Sequence, residues 1–412
     1  MRNGTGGRES ASRRGAPAAA SKLSRTAVAA LAALLADGCS ASVPGETDGG
    51  GAGTSTSTDL GLGGGSSTGG WTPPPCDGDH ENVDADGDGY TGAQGDCNDC
   101  TNLMNPAARD YPGNGVDEDC NGAADDGDSS CDDDLAMDSA DPMDAVRAIG
   151  LCREQLGASW GVKSAAYVAS DGSPLSDPLG HGLVPSFGDA VHPQEGKRML
   201  VLSSGAARRP SDADYKDVAG YDKGYTSAAP AGYPKEAPAC PGIVSGEPHD
   251  AAGLEVVLQT PSNAKSMGFK LDFYTYEYPD YICSKYNDYF VALVSPPPPN
   301  LPDGNVSFDK QGNTISANAG FLEVCSPQQA GGKTFACAKG TSQLGGTGFE
   351  GHAATGWLKT SVAVTEPGKD VTVRFAVWDS GDGVLDSTVL VDDFQFEIAD
   401  TPTVTEPVDE PK

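Results

Sequence analysis

The sequence predicts a mainly β protein. The expected architecture is an antiparallel β-sandwich of jelly-roll type with one short helix, preceded by an irregular, disulfide-containing module of calcium-type loops. Three observations carry this. Beyond residue 250, apolar residues recur at period two. Gly (55) and Pro (30) are abundant and aromatic residues scarce, which fits turn-rich β structure better than a helical bundle. Between Asp84 and Asp128, Asp, Asn and Gly recur at the spacing of cation-binding loops.

The 412 residues leave room for two or three domains, and the net charge of −32 argues against nucleic acid as a partner. The charge is concentrated. Cys76–Asp141 holds twenty acidic residues against one base, Arg109. Such a segment repels itself and has little to bury, so its shape must come from cations and disulfides.

Residues 1–38 have the layout of a signal peptide. Arg13, Arg14, Lys22 and Arg25 precede the apolar run Thr26–Ala36, which is too short to span a bilayer. The run LLADGC resembles the lipobox of bacterial lipoproteins, with Gly38 before a lipid-accepting Cys39. Asp37 departs from that pattern, and an ordinary signal peptide cleaved elsewhere is the alternative. With Cys39 lipidated, ten of the eleven cysteines remain, an even number suited to disulfides in an oxidising compartment. No later segment is apolar enough to cross a membrane. Residues 39–75 are Gly/Ser/Thr-rich and read as a flexible tether. The implied location is the outer membrane through the N-terminal lipid, or otherwise secretion.

Residues 76–135 form the acidic module. A calcium loop places oxygen ligands at positions 1, 3 and 5, a Gly at 6, a carbonyl at 7 and a closing carboxylate. Asp84, Asp86 and Asp88 hold 1, 3 and 5, Gly89 holds 6, and Tyr90 offers its carbonyl; Gly95 stands at 12, so Asp96 or Asp99 must close the loop. A second copy places Asp117, Asp119 and Asn121 at 1, 3 and 5, Gly122 at 6, Asp125 at 9 and Asp128 at 12, the more complete set. Cys97 and Cys120 flank the two loops and are expected to be disulfide-bonded. The hard oxygen donors select calcium. The module is read as a calcium-stiffened stalk; a merely solvated acidic linker is the alternative.

The spacing GDCND…GNGVDEDCN resembles the metal-binding repeat of bacterial surface proteins named after a copper-binding outer-surface protein of methanotrophs. It is also similar to thrombospondin type 3 calcium loops. Copper needs nitrogen ligands and only His80 is near, so copper does not carry over.

Asp141-Pro142 is a helix start, with an N-cap and Pro at N1, and Met143, Val146 and Ile149 follow at three-residue spacing. The helix is expected over about 142–156, and 160–250 as long loops with scattered strands. Met267, Phe269, Leu271 and Phe273, and again Val371, Val373, Phe375 and Val377, alternate with more polar residues, the pattern of half-buried antiparallel strands. The alternation breaks at Asp392-Asp393, which predicts a β-bulge. Residues 401–412 are read as a disordered tail.

The blocks EYPDYICSKYNDYFVAL (277–293), GTGFEGHAATGWLKT (346–360) and WDSGDGVLDSTVLVDDF (378–394) resemble, in this order, the choice-of-anchor L domain of bacterial surface proteins. The resemblance covers roughly 140–400 and implies an extracellular β-rich module. From the residues themselves, Glu277, Asp280, Asn287 and Asp288 in one block and Asp379, Asp382 and Asp386 in another supply oxygen ligands for a further cation or ligand site if the loops meet. Turn-capping Asp and Asn are the plainer reading. Tyr274, Tyr276, Tyr278, Tyr281, Tyr286 and Tyr289 either pack the core or stack on sugars. No paired-His or G-x-S-x-G motif is present, so the chain is expected not to be an enzyme. The expected role is display of a module that binds a glycan or protein partner. A carbohydrate-active hydrolase using paired carboxylates and a purely structural envelope protein are the alternatives.

Overall fold

The computed structural model describes residues 71–412 except 79, 128, 158 and 410. The predicted signal segment, Cys39 and most of the tether lie outside the described residues, as does Asp128.

Thirteen strands and one α-helix are described. The helix α1 is Pro142–Ala148. The strands are β1 (Gly161–Val168), β2 (His181–Val184), β3 (Met199–Ser203), β4 (Pro248–Gln259), β5 (Ser266–Thr275), β6 (Tyr289–Ser295), β7 (Gln328–Ala330), β8 (Lys333–Phe335), β9 (Ala353–Ala354), β10 (Leu358–Ala363), β11 (Asp370–Ser380), β12 (Ser387–Glu397) and β13 (Val404–Pro407). A four-stranded antiparallel sheet runs β1-β4-β11-β6; a larger one runs β13-β10-β5-β12-β3-β2, with β9 also on β5. β7 and β8 make a separate hairpin.

The alternating runs give the inner faces. Met267, Phe269, Leu271 and Phe273 of β5 and Val371, Val373, Phe375 and Val377 of β11 belong to one buried cluster. Phe269 and Phe375 meet edge to face at 4.9 Å across it. Each such side chain contributes roughly 1.5–3 kcal/mol by leaving water. The outer face of β5 departs from the expected half-exposure. Tyr274 packs into a second cluster with Phe187, Phe349 and Trp357, and Asp272 is fully buried beneath it. Burial raises the Asp272 carboxyl to about 7, and it accepts from Tyr274 Oη at 3.0 Å and Thr355 Oγ1 at 3.3 Å.

Asp141 caps α1 through a bond from the Met143 N–H, with Pro142 at N1. The helix stops at Ala148 rather than continuing to 156. Gly150 takes φ 91° and donates to the Arg147 carbonyl, the left-handed ending that glycine permits. Cys152 is then tied to Cys131. The β12 register shifts between Asp392 and Gln395, with Asp393 at φ 53°. This bulge frees the Phe394 N–H to bond the Ile149 carbonyl at 2.7 Å, joining the sheet to the helix end.

Two expectations are corrected. Residues 401–412 do not lie wholly outside the fold: Val404–Pro407 adds an edge strand to β10. Thr405 drives this, because its buried hydroxyl bonds Thr360 Oγ1 at 2.9 Å and accepts the Phe308 N–H. Nor is the acidic module a free stalk, because it and the sandwich form one compact unit. Asn263, in the β4–β5 turn, bonds the Arg109 backbone, Arg109 Nη1 reaches the Phe396 carbonyl at 2.8 Å, and Ser262 Oγ bonds Asn105 at 2.7 Å.

Candidate cation sites

Among the described residues five disulfides are formed: Cys76–Cys100, Cys97–Cys120, Cys131–Cys152, Cys240–Cys283 and Cys325–Cys337. A chain so stapled belongs to an oxidising, extracytoplasmic compartment. Cys76, His80 and Cys100 converge, but both sulfurs are spent in their own disulfide, so they offer no thiolate to a metal.

The first acidic loop is built by backbone capping. Asp84 accepts the Gly87 and Gly89 N–H groups, Asp86 accepts Asp88 N–H, Asp88 accepts Tyr90 N–H, Asp96 accepts Asn98 N–H and Asp99 accepts Ala85 N–H. Gly87 and Gly89 supply the left-handed turns, at φ 83° and 98°. Each of Asp86, Asp88, Asp96 and Asp99 uses one carboxylate oxygen this way and leaves its Oδ2 buried without a hydrogen-bond partner. In the sets Asp84/Asp86/Asp99 and Asp86/Asp88/Asp96, one oxygen per residue lies within 4.8 Å of the others. Oxygens about 2.3–2.6 Å from one calcium ion can be no farther apart than roughly that. Both candidate closing residues, Asp96 and Asp99, therefore converge with the loop. Burial, and then mutual repulsion, raises the Asp86 and Asp96 carboxyls and lifts Asp88 to about 6.

The second loop, the more complete by spacing, is chemically occupied. Asp117 accepts from Asn121 and Gly122, and Asp119 pairs with Arg153 at 3.3 Å. Asn121 gives its side-chain N–H to Asp126 and its oxygen to Ala123 N–H. Asp125 Oδ1 accepts three amides, from Gly113, Asn114 and Gly115. Spacing alone counts carboxylates and not the donors they already serve. Arg153 comes from beyond α1, so no local pattern announces it.

In the sandwich, Glu277 follows β5, Asp288 precedes β6, Asp379 is the penultimate residue of β11 and Asp386 precedes β12. All four are at most 2 % exposed. Ser380 N–H and Ser387 Oγ bond Asp288, while Ser204 Oγ bonds Asp379 at 2.6 Å. Burial first, then neighbouring acids, raises Glu277 to about 9, Asp386 to about 10, and Asp288 and Asp379 well above the carboxylate range. Asp280 is exposed, and Asn287 gives its oxygen to the Asn318 N–H, so neither joins. Asp382 is half-exposed and acts on Glu277 through its charge. Sequence reasoning missed Asp250, which is fully buried and accepts the Lys223 and Tyr225 amides. It also missed Ser204 and Gly205, which no spacing singles out. Of the tyrosines, Tyr274, Tyr278 and Tyr289 are buried, whereas Tyr281 is exposed.

No protein-family model matches the chain, and no curated protein does. Among solved structures it is similar to the K2 cleaved adhesin domain of Lys-gingipain, at 12 % identity over 57 % of this chain and 89 % of that one, with a TM-score of 0.23. At that score the likeness carries no argument. What stands without it is the class: a disulfide-stapled antiparallel β protein with an acidic module docked on its sandwich.

Proposed function

We propose that the chain is a surface-displayed or secreted binding protein. Its loop 84–99 carries a structural calcium ion, and its sandwich presents a surface to a glycan or protein partner. The observation that carries the calcium reading is the set of buried oxygens without a hydrogen-bond partner on Asp86, Asp88 and Asp96, three residues that form one converging set. Burying such atoms without a partner is costly, and a cation removes the cost. An all-oxygen donor set favours calcium over copper or zinc, and extracellular calcium modules bind with Kd on the order of 10⁻⁴–10⁻³ M. Because the module is bonded to the sandwich through Asn263 and Arg109, calcium here braces the sandwich's flank. A lipid on Cys39 and the tether 39–75 hold the folded part at the membrane. The blocks at 277–293, 346–360 and 378–394 support kinship with choice-of-anchor L surface proteins.

The role is tested by offering the purified chain to a glycan array and to intact bacterial cells, with calcium or with chelator. Saturable, calcium-dependent retention without product release is expected. Release of reducing sugar that Glu277→Gln abolishes would instead make the chain a hydrolase.

A further inference from the structure

A cavity of about 250 Å³ opens at the seam where the acidic module meets the sandwich. Arg109, Asp110, Asp119 and Asp126 line it from the module, and Arg153 and Trp160 from the segment that leads from α1 into β1. We propose that this cavity binds one neutral sugar residue of a glycan, with the Trp160 indole N–H as the anchoring donor. The proposal rests on the glycan-binding reading above and gives that reading a site.

The observation that points to a ligand is the indole. Trp160 is 3 % exposed and its Nε1 donor has no hydrogen-bond partner. The ring is held in place, with the Arg153 guanidinium 5.2 Å from its centre and Phe396 against it edge to face at 5.8 Å. A buried donor on a fixed ring needs an acceptor brought to it. Arg109 Nε also lacks a hydrogen bond, although its guanidinium has the Tyr111 ring at 5.3 Å. The carboxylates of the same wall are only half used. Asp110 accepts the Glu118 and Asp126 amides, Asp119 accepts the Asn121 amide and Arg153 Nη1, and both Asp126 oxygens accept from the Asn121 side chain. Each of these oxygens carries a second lone pair. The wall therefore offers donors and acceptors together. A small anion serves only the donors and a cation only the acceptors. A hydroxyl both donates and accepts, so the adjacent hydroxyls of a sugar serve both. Three carboxylates against two guanidiniums, in a chain of net charge −32, also disfavour an anionic ligand. Drug-sized ligands occupy roughly 300–1,000 Å³, and the smaller volume here suits a single sugar residue.

The test titrates the full chain, in calcium, with glucose, galactose, mannose, N-acetylglucosamine and the glycans that the array retains, and with glucuronate and glycine as charged controls. Tryptophan emission and calorimetric heat are read. Trp160→Phe keeps a ring between Arg153 and Phe396 and deletes the N–H. Asp126→Ala removes an acceptor at the exposed rim, whose side chain bonds Asn121. At least one neutral sugar is expected to bind saturably, and each variant, folded by its circular dichroism and melting temperature, to weaken that binding by about tenfold. A sugar or glycan that binds the wild type and both variants alike overturns this site and leaves the glycan-binding reading standing. Binding of glucuronate or glycine alone overturns the neutral class. A chain that binds no sugar and no glycan but is retained by cells overturns this site and leaves only a protein partner to the reading above. A chain retained by neither overturns both.

Discussion

Asn263 in the β4–β5 turn is held to Arg109 in the acidic module by reciprocal bonds. Its Oδ1 accepts the Arg109 N–H at 3.0 Å, and its Nδ2 donates to the Arg109 carbonyl at 2.9 Å and to the Leu103 carbonyl at 3.2 Å. One amide side chain, 2 % exposed, thereby fastens a segment 154 residues away to the sandwich. Asn263→Ala leaves three backbone groups without partners, at a cost of about 2–4 kcal/mol. Urea unfolding should show the loss, and protease nicking within 76–135 should accelerate. Unchanged nicking would mean that other contacts hold the module.

Cys131–Cys152 is the covalent counterpart, joining the end of the module to the segment after α1 across 21 residues. By the chain-entropy account a loop of that size is worth about 3 kcal/mol. Cys131→Ser/Cys152→Ser should lower the calorimetric melting temperature by several degrees. An unchanged temperature would show that the noncovalent contacts alone suffice.

His181 makes stability pH-dependent. It begins β2, stacks on Tyr167 at 3.7 Å and bonds the Ser139 carbonyl through Nε2 at 3.0 Å. Burial holds its imidazole down at about 4, against an ordinary 6.5. The unfolded chain therefore takes up a proton first as pH falls. The stability from this group is complete above about pH 6.5 and is lost toward pH 4, roughly 3 kcal/mol in all. His181→Gln keeps a donor for Ser139 and cannot titrate, so its stability should fall less steeply over that interval in equilibrium unfolding. An identical slope would remove His181 from the account.

What could be read in advance follows from range. The alternation at 267–273 and 371–377, the Asp141-Pro142 helix start and the break at Asp392-Asp393 are local patterns, and the fold contains each feature. Local, too, is the first loop, where Asp84 through Asp99 lie within sixteen residues and converge. The second loop has the same local signature, but Arg153 neutralises Asp119 from outside it. The outer face of β5 carries Asp272, on the polar side of the alternation, and Tyr274, for which the sequence leaves core and surface both open; distant residues such as Phe349 and Thr355 cover them. The edge strand at Val404–Pro407 depends on Thr360 and Phe308, and nothing within the tail announces it. The carboxylate pairing of 277–288 with 379–386 was visible as composition alone. Its burial, and the space that Gly205 leaves for Asp386, emerge only when the two sheets are stacked.

The central claim is that loop 84–99 holds calcium through the unpartnered oxygens of Asp86, Asp88 and Asp96. The most direct measurement is a calorimetric calcium titration of the chelator-stripped full chain beside its Asp88→Asn/Asp96→Asn variant. These two residues meet with Asp86 in one of the converging sets. The account predicts that the variant loses one binding event in the submillimolar to millimolar range while any other event persists. Superimposable isotherms for the two proteins would contradict it.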